Sequence, residues 1–460
     1  MLALRFAVLS RSMGLPLQDR AGIAVTLLCA LVGLPLSGCV PLTVSQTKTQ
    51  IHLVIDLGSS GTSLCMFPVE IGSQPGTAPR CSVGKLAPVC SKSKGGFAAL
   101  SQGKTPDAID ALVQSRLGSA WTALADKERG GRSDWRSQLA AAAALGTGGF
   151  RDPTTGAQRE RPEWDTLWAA VDKFFRSEAK LSQVVARPLS GSEEGALAWH
   201  GVRESVRPSE PFAIMEVGGA TVQLALADAH SDDAQVVAVS DVRGQDVTFD
   251  RFTKGGPRPE FAVCYSPSQR RLQRGRACID FLYDQVFADA RVTGLSAVTS
   301  PRQVFALGAP WLGLLRELPS SPPFAIKANR DLPQKVRLAD LQTLADWICP
   351  LSDEQLLAIA PHSYEAKRGA GRTCYSVAYH AAYFQAISHV ARAETVIPGG
   401  DDQWARGAAT SGWPSPHTDP ARTTFRGYSF APAHPTAPGT PEYRAADTAA
   451  ELRQTTAPKP

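Results

Sequence analysis

The chain has 460 residues, 43% of them hydrophobic and 20% charged. Such a composition is globular, long enough for two domains with a sizeable core, and excludes a fibrous or largely disordered protein. Its net charge of +5, with no long basic run, gives no support to nucleic-acid binding and leaves small phosphate-bearing ligands compatible.

In chain order, the apolar segment at 21–39 has the length of an export signal and is too short and proline-broken to span a membrane. It ends in Leu36-Ser37-Gly38-Cys39, which resembles the bacterial lipobox and implies a signal peptide (1–39) cleaved before a lipidated Cys39. Met13 is an equally good start. Residues 40–50 read as a polar tether. The stretch HLVIDLGSSGTSLCMF (52–67) reads as a strand ending in an acid, a glycine and hydroxyl loop, and a second strand. Residues 71–105 are rich in Gly, Ser and Lys and read as loop; helical periodicity follows from Thr105 and again from Arg161. Between those helices SQLAAAAALGTGG reads as a strand running into glycines. Alternating strands and helices predict an α/β fold with mixed sheets, and the proline-rich tail (413–460) is expected to be disordered.

Export predicts an oxidising compartment. Cys81 with Cys90, Cys264 with Cys278, and Cys349 with Cys374 would each close a short loop, leaving Cys65 unpaired in a strand. No CxxC or HxxxH spacing points to a metal cluster. Trp164, Trp168, Phe174 and Phe175 lie at helical spacing and are expected in the core. His200 reads as an ordinary helix residue, and Arg270 and Arg271 as part of a solvated face.

The 52–67 pattern recurs in FAIMEVGGATVQLAL (212–226): Asp56 matches Glu216, Gly58 matches Gly218, and Thr62 falls near Thr221. Each copy reads as a β-hairpin whose glycines let backbone N–H groups approach an anion, with Ser59, Ser60 and Thr62 adding hydroxyl donors. An acid beside a phosphate predicts a hydrated divalent cation between them. ALGTGGFRD offers Thr147, Gly148 and Arg151 to the same anion. In RPLSGSEEGALAWHGV a Ser-Gly-Ser turn caps a helix; Glu193 reads as capping chemistry and a neighbouring carboxylate as a candidate proton acceptor.

In this order DLGSSGTS, TGGFR, SGSEEGALAW and EVGGATVQ resemble the first four conserved regions of the apyrases, the nucleoside triphosphate diphosphohydrolases. DDQWARGAAT, with Trp404, is similar to the fifth, while ADWICP and GRTCYSVAYHAAYFQA are similar to segments carrying a disulfide and a base-stacking tyrosine. The resemblance covers residues 51–410 and implies two actin-like (RNase H-like) domains with mixed sheets flanked by helices, 51–186 completed by about 399–412, and 187–398, with the active site in the interdomain cleft. It implies Glu194 as base, with Gln223 and Thr147 in the catalytic set. Asp56 and Glu216 would organise Mg²⁺ or Ca²⁺ through water. Ser59, Ser60, Gly61, Thr62, Gly148, Arg151, Gly218, Gly219, Ala220 and Thr221 would bind phosphate, and Tyr379 would stack on the base. It also supports pairing Cys349 with Cys374.

Two departures from the family stand at Glu216, where an aspartate is usual, and at Thr221, where a serine is usual. The extra methylene moves the carboxylate outward by about 1.5 Å, against geometric tolerances near 0.5 Å. The expected activity is extracytoplasmic removal of terminal phosphate from nucleoside tri- and diphosphates, at a membrane reached through Cys39, either the outer membrane facing the periplasm or the cell surface. The alternatives are an exopolyphosphatase or guanosine-pentaphosphatase-like enzyme, a sugar or acetate kinase of the same fold, and a non-catalytic envelope lipoprotein. Trp199, the paired cysteines and the Tyr379 segment favour the apyrases.

Overall fold

The computed structural model describes residues 47–58, 61–72, 80–83, 88–128, 135–152, 159–227, 235–237, 243–254, 259–265, 274–287, 303–308, 314, 335–391, 395–398 and 403–410. Cys39, most of the tether, Ser59, Ser60, Arg270, Arg271 and the tail lie outside them. The chain divides into two compact units, 1–49 with 70–81 and 50–69 with 82–460. The candidate site lies wholly in the second.

β1 (Thr47–Leu57) is buried at Ile51, Leu53, Val54, Ile55 and Leu57, so residues on both of its faces are covered, as expected of a central strand. It is followed by β2 (Gly61–Gly72), β3 (Arg80–Val83) and β4 (Val89–Lys94). After the long helix α1 (Pro106–Glu128), β5 (Leu139–Gly146) pairs with β1 in parallel; α2 (Pro162–Glu178) then leads to β6 (Gln183–Pro188), parallel to β5. The sheet order is β3-β2-β1-β5-β6, with β4 beside β2.

Helix α3 (Gly191–Val206) passes to a second sheet of β7 (Phe212–Val217), β8 (Val222–Ala227), β9 (Gln235–Val237), β10 (Gln303–Leu307), β11 (Val336–Arg337) and β12 (Thr395–Pro398). Its order is β11-β12-β10-β7-β8-β9. β7 and β8 form an antiparallel hairpin, while β10 runs parallel to both β7 and β12. From β9 to β12 the order reproduces that from β3 to β6, so the echo in the sequence is an echo of topology. Both sheets are mixed and flanked by helices, the α/β class expected.

Trp164, Phe174 and Phe175 are buried in the core of the first sheet, with Trp168 partly buried against it. The second core surrounds α7 (Ala370–Ala391), where Tyr375, Tyr379, Tyr383 and Phe384 are fully buried. Three shorter helices complete the labelled set: α4 (Gln245–Thr253), α5 (Arg274–Leu282) and α6 (Leu338–Ile348). Last in the described chain comes α8 (Gln403–Thr410), which packs along α3. Among the described residues no helix is long and apolar enough to cross a membrane.

The expected loop at 71–105 is corrected: it holds β3, β4 and a helical turn at Phe97–Leu100. β4 (VCSKSK) forms by antiparallel pairing with β2, a long-range partnership that its polar composition conceals. That pairing also corrects a disulfide. Cys65 and Cys90 are register partners with Cα atoms 4.1 Å apart and are bonded to each other, so Cys90 is not the partner of Cys81. Cys264–Cys278 and Cys349–Cys374 are joined as expected. Replacing Cys65 and Cys90 together by Ser is expected to cost about 2–4 kcal/mol in denaturant unfolding. A non-reducing peptide map that linked Cys81 to Cys90 would overturn the assignment.

Candidate active site

Asp56 lies one residue before the end of β1, and Glu216 one before the end of β7. The turns after them share a close approach: a methyl group at Gly58 would stand 3.0 Å from the Gly61 carbonyl oxygen, and one at Gly218 3.0 Å from that of Thr221. Both glycine loops line one groove of about 270 Å³, together with Thr62, Thr147, Gly148, Glu194 and the end of β10.

Helix α3 places the proposed base. Ser190 caps the helix by accepting from the Glu193 N–H at 3.1 Å, while Glu193 reaches back to the Ser190 N–H at 2.9 Å. Burial opposes charge on Glu193, but Arg187, 2.7 Å away, and the Ser190 cap hold its carboxyl below the usual range. With Glu193 so committed, the next residue, Glu194, enters the groove at 6% exposure. Gln223 on β8 donates through Nε2 to Glu194 at 3.2 Å and to the Thr221 hydroxyl at 3.0 Å.

Arg151 has its own partners in this wall. It is 2% exposed, donates to the Glu194 carboxylate and, at 3.0 Å, to the Thr221 hydroxyl, and is absent from the groove lining. A buried guanidinium needs a counter-charge, and Glu194 supplies it. Arg151 therefore holds the Glu194 carboxylate and the Thr221 hydroxyl, two groups of the groove wall, from behind.

Asp56 accepts from the Thr147 hydroxyl at 3.1 Å. Burial, reinforced by the negative charge of Glu194, pushes its pKa up to about 7, against the pull of Thr147, Lys92 and Arg151. Asp56, Glu194 and Glu216 in one groove are a hard-oxygen donor set suited to a divalent cation. Among the described residues no three His, Cys, Asp or Glu side chains are grouped to hold a metal directly.

Tyr379 requires a correction. It is fully buried on α7 and its hydroxyl donates to the Arg243 carbonyl, so no face of the ring is open to a base. Trp199 is likewise buried, stacked on Phe212 at 4.8 Å. The α7 hydroxyls instead brace the segment 243–247: Tyr375 donates to the Gln245 carbonyl at 2.7 Å and Ser376 to the Gln245 side chain at 3.1 Å.

That segment in turn ties back the second glycine loop. Gly244 N–H donates to Ala220 O (2.7 Å), Gln245 N–H to Gly218 O (3.0 Å), and Asp246 and Val247 N–H to Gly219 O (2.8 and 3.0 Å). Carbonyl dipoles that would repel an anion are thus engaged elsewhere. A methyl group at Gly244 would lie 2.4 Å from the Ala220 carbonyl carbon. Gly244→Ala is accordingly expected to displace the loop, cost about 1–3 kcal/mol, and raise KM for phosphate substrates. Unchanged KM and thermal midpoint would refute this.

Sequence reading also missed Lys92 and Ser93, which line the groove from β4. The alternation C-S-K-S-K was the available signal. No protein-family model matches the sequence, and no curated protein matches it. Solved structures that align over most of their own length include the following three. A Ppx/GppA family member from Aquifex aeolicus has a TM-score of 0.47 and 13% identity, covering 79% of this chain and 97% of that one. An exopolyphosphatase from Cytophaga hutchinsonii has 0.44 and 14%, covering 77% and 96%. A nucleoside triphosphate hydrolase structure from Neospora caninum has 0.47 and 12%, covering 79% and 92%.

Proposed function

We propose that the protein is a divalent-cation-dependent hydrolase that releases terminal phosphate from phosphoanhydride chains, with linear polyphosphate as its first substrate class. The observation that carries the reading is that Glu194 and Thr221, which line a groove shared by both glycine loops, are hydrogen-bonded to the same buried side chain, Gln223. Glu194 accepts a proton from the attacking water, Gln223 orients that water, and the 218–221 loop holds the phosphoryl group in line. Mg²⁺ or Ca²⁺, held by Asp56 and Glu216 through water, supplies charge neutralisation on the phosphate oxygens when bound. Thr147 fixes the Asp56 rotamer.

Nucleoside tri- and diphosphates are the second reading. Burial of Tyr379 weakens it. In its favour is a pocket of about 660 Å³ walled by Phe249, Tyr265 and Arg372, which shares Asp246 with the brace beneath Gly219. On the same proposal, the lipobox-like ending at Cys39 tethers the enzyme in the cell envelope.

The test is inorganic phosphate release from long-chain polyphosphate, ATP, ADP and UDP, each with Mg²⁺, Ca²⁺ or chelator. Metal-dependent release from polyphosphate supports the first reading, and release from nucleotides alone promotes the second. Silence on every substrate from folded protein would defeat both.

A further inference from the structure

The carboxylate of Asp246, on α4, lies against the second glycine loop without joining the groove. Its N–H donates to Gly219 O at 2.8 Å, and a methyl group at Gly219 would stand 2.6 Å from its Oδ2. Gly219 lines the groove, whereas Asp246, Arg368 and Arg372 line the separate cavity of about 660 Å³. A negative charge packed on a loop that holds phosphate has the wrong sign for that task, because its field crosses the loop to the bound anion.

Two guanidinium groups answer that charge. Asp246 Oδ1 accepts from Arg368 at 3.1 Å and from Arg372. Arg368 also pairs, at 3.4 Å, with Glu365, whose side chain is buried. The cluster therefore holds two carboxylates and two guanidinium groups, with no net charge. Exposed ion pairs contribute little, but the Arg372 side chain is only 11% exposed, so water and salt screen it weakly. Arg372 lies over the Phe249 ring at 4.1 Å and the Tyr375 ring at 5.2 Å. Two residues further along α7, Cys374 is bonded to Cys349, which caps α6, so the turn that presents Arg372 is itself anchored.

We infer that Arg368 and Arg372 are positioning residues for the phosphate loop: acting through Asp246, they cancel the negative charge that its bracing brings against Gly219. The inference rests on the phosphohydrolase reading and deepens it, by naming what sets the affinity of the 218–221 loop. The backbone of 243–247 supplies the hydrogen bonds that shape the loop, and the two arginines supply the charge balance that lets an anion approach it. A brace that acted through shape alone would depend on these side chains for packing and not for their charge.

The test is calorimetric titration with the methylene-bridged analogue of pyrophosphate, in Mg²⁺, of the wild type, Arg372→Gln, Arg372→Lys, Asp246→Asn, and Arg372→Gln combined with Asp246→Asn. Arg372→Gln leaves one surplus negative charge and is expected to weaken binding about tenfold, raising KM in step with kcat within about twofold. Arg372→Lys keeps the charge and should retain most of the affinity. Asp246→Asn alone should bind the analogue at least as tightly as the wild type. Added to Arg372→Gln, it should restore binding to within about threefold of the wild type, where two independent structural defects would add. If Arg372→Gln does not fold, Arg368→Gln with and without Asp246→Asn makes the same comparison on a more exposed side chain. Additive losses in the double variant, equal losses for Arg372→Lys and Arg372→Gln, or wild-type protein that ignores the analogue would overturn the inference. Phosphate release is scored separately. The expected binding pattern without release keeps the charge balance and removes the hydrolase, while release with binding indifferent to both arginines does the reverse.

Discussion

Glu194→Gln is expected to lower phosphate release by a factor of about 10²–10⁴ while the protein stays folded. Glutamine keeps an oxygen for Arg151 and Gln223 to donate to but cannot take a proton from water at neutral pH. Truncating the partner of a buried guanidinium typically costs about 3–5 kcal/mol, and the retained amide oxygen should hold the loss well below that. Arg151 also keeps its bond to the Thr221 hydroxyl. The thermal midpoint should therefore drop by a few degrees, and KM should move far less than kcat. Undiminished release from folded Glu194→Gln protein would remove this carboxylate from the chemistry.

Asp56→Asn is expected to have opposite effects on stability and activity. With a pKa near 7 in the fold against an ordinary 3.8, ionised Asp56 disfavours the folded state. Its protonated form carries stability that is fully present below about pH 4 and is lost as pH rises through about 7. In chelator, Asn should therefore match the wild type in acid and exceed it above pH 7 by about 2–4 kcal/mol, allowing for solvent in the groove. The same substitution should abolish metal-stimulated release. Urea titrations of both proteins at pH 5 and pH 8 provide the comparison, and a stability difference independent of pH would contradict this account of Asp56.

What sequence made legible follows from range. Asp56, Gly58, Glu216 and Gly218 belong to tight turns within a few residues of chain, and the Ser190–Glu193 cap is equally local, so their patterns could be read directly. Tyr379 could not: its ring is hidden because α7 is enclosed by the second core, and a tyrosine in that place looks the same whether it faces a base or Phe287. Cys65 was assigned no partner because sequence spacing favoured Cys81 for Cys90, whereas strand register decided the pairing. The bracing segment 243–247 has no phosphate-site signature of its own. Its role comes from hydrogen bonds to residues about 25 positions earlier and to α7, more than 120 positions later.

The packing of α8 has a consequence for the order in which a newly made chain becomes competent. α8 lies along α3, the helix that carries Glu194; its Ala409 carbonyl meets His52 Nδ1 of β1 at 2.7 Å, and its Trp404 joins the groove lining. A chain delivered N-terminus first, from the ribosome or across a membrane, presents both sheets' hairpins before residue 403. Until then α3 lacks its cover and β1 its anchor. A nascent chain holds nearly all of the proposed catalytic groups in an unfinished groove, and its maturation is timed by one of its shortest helices.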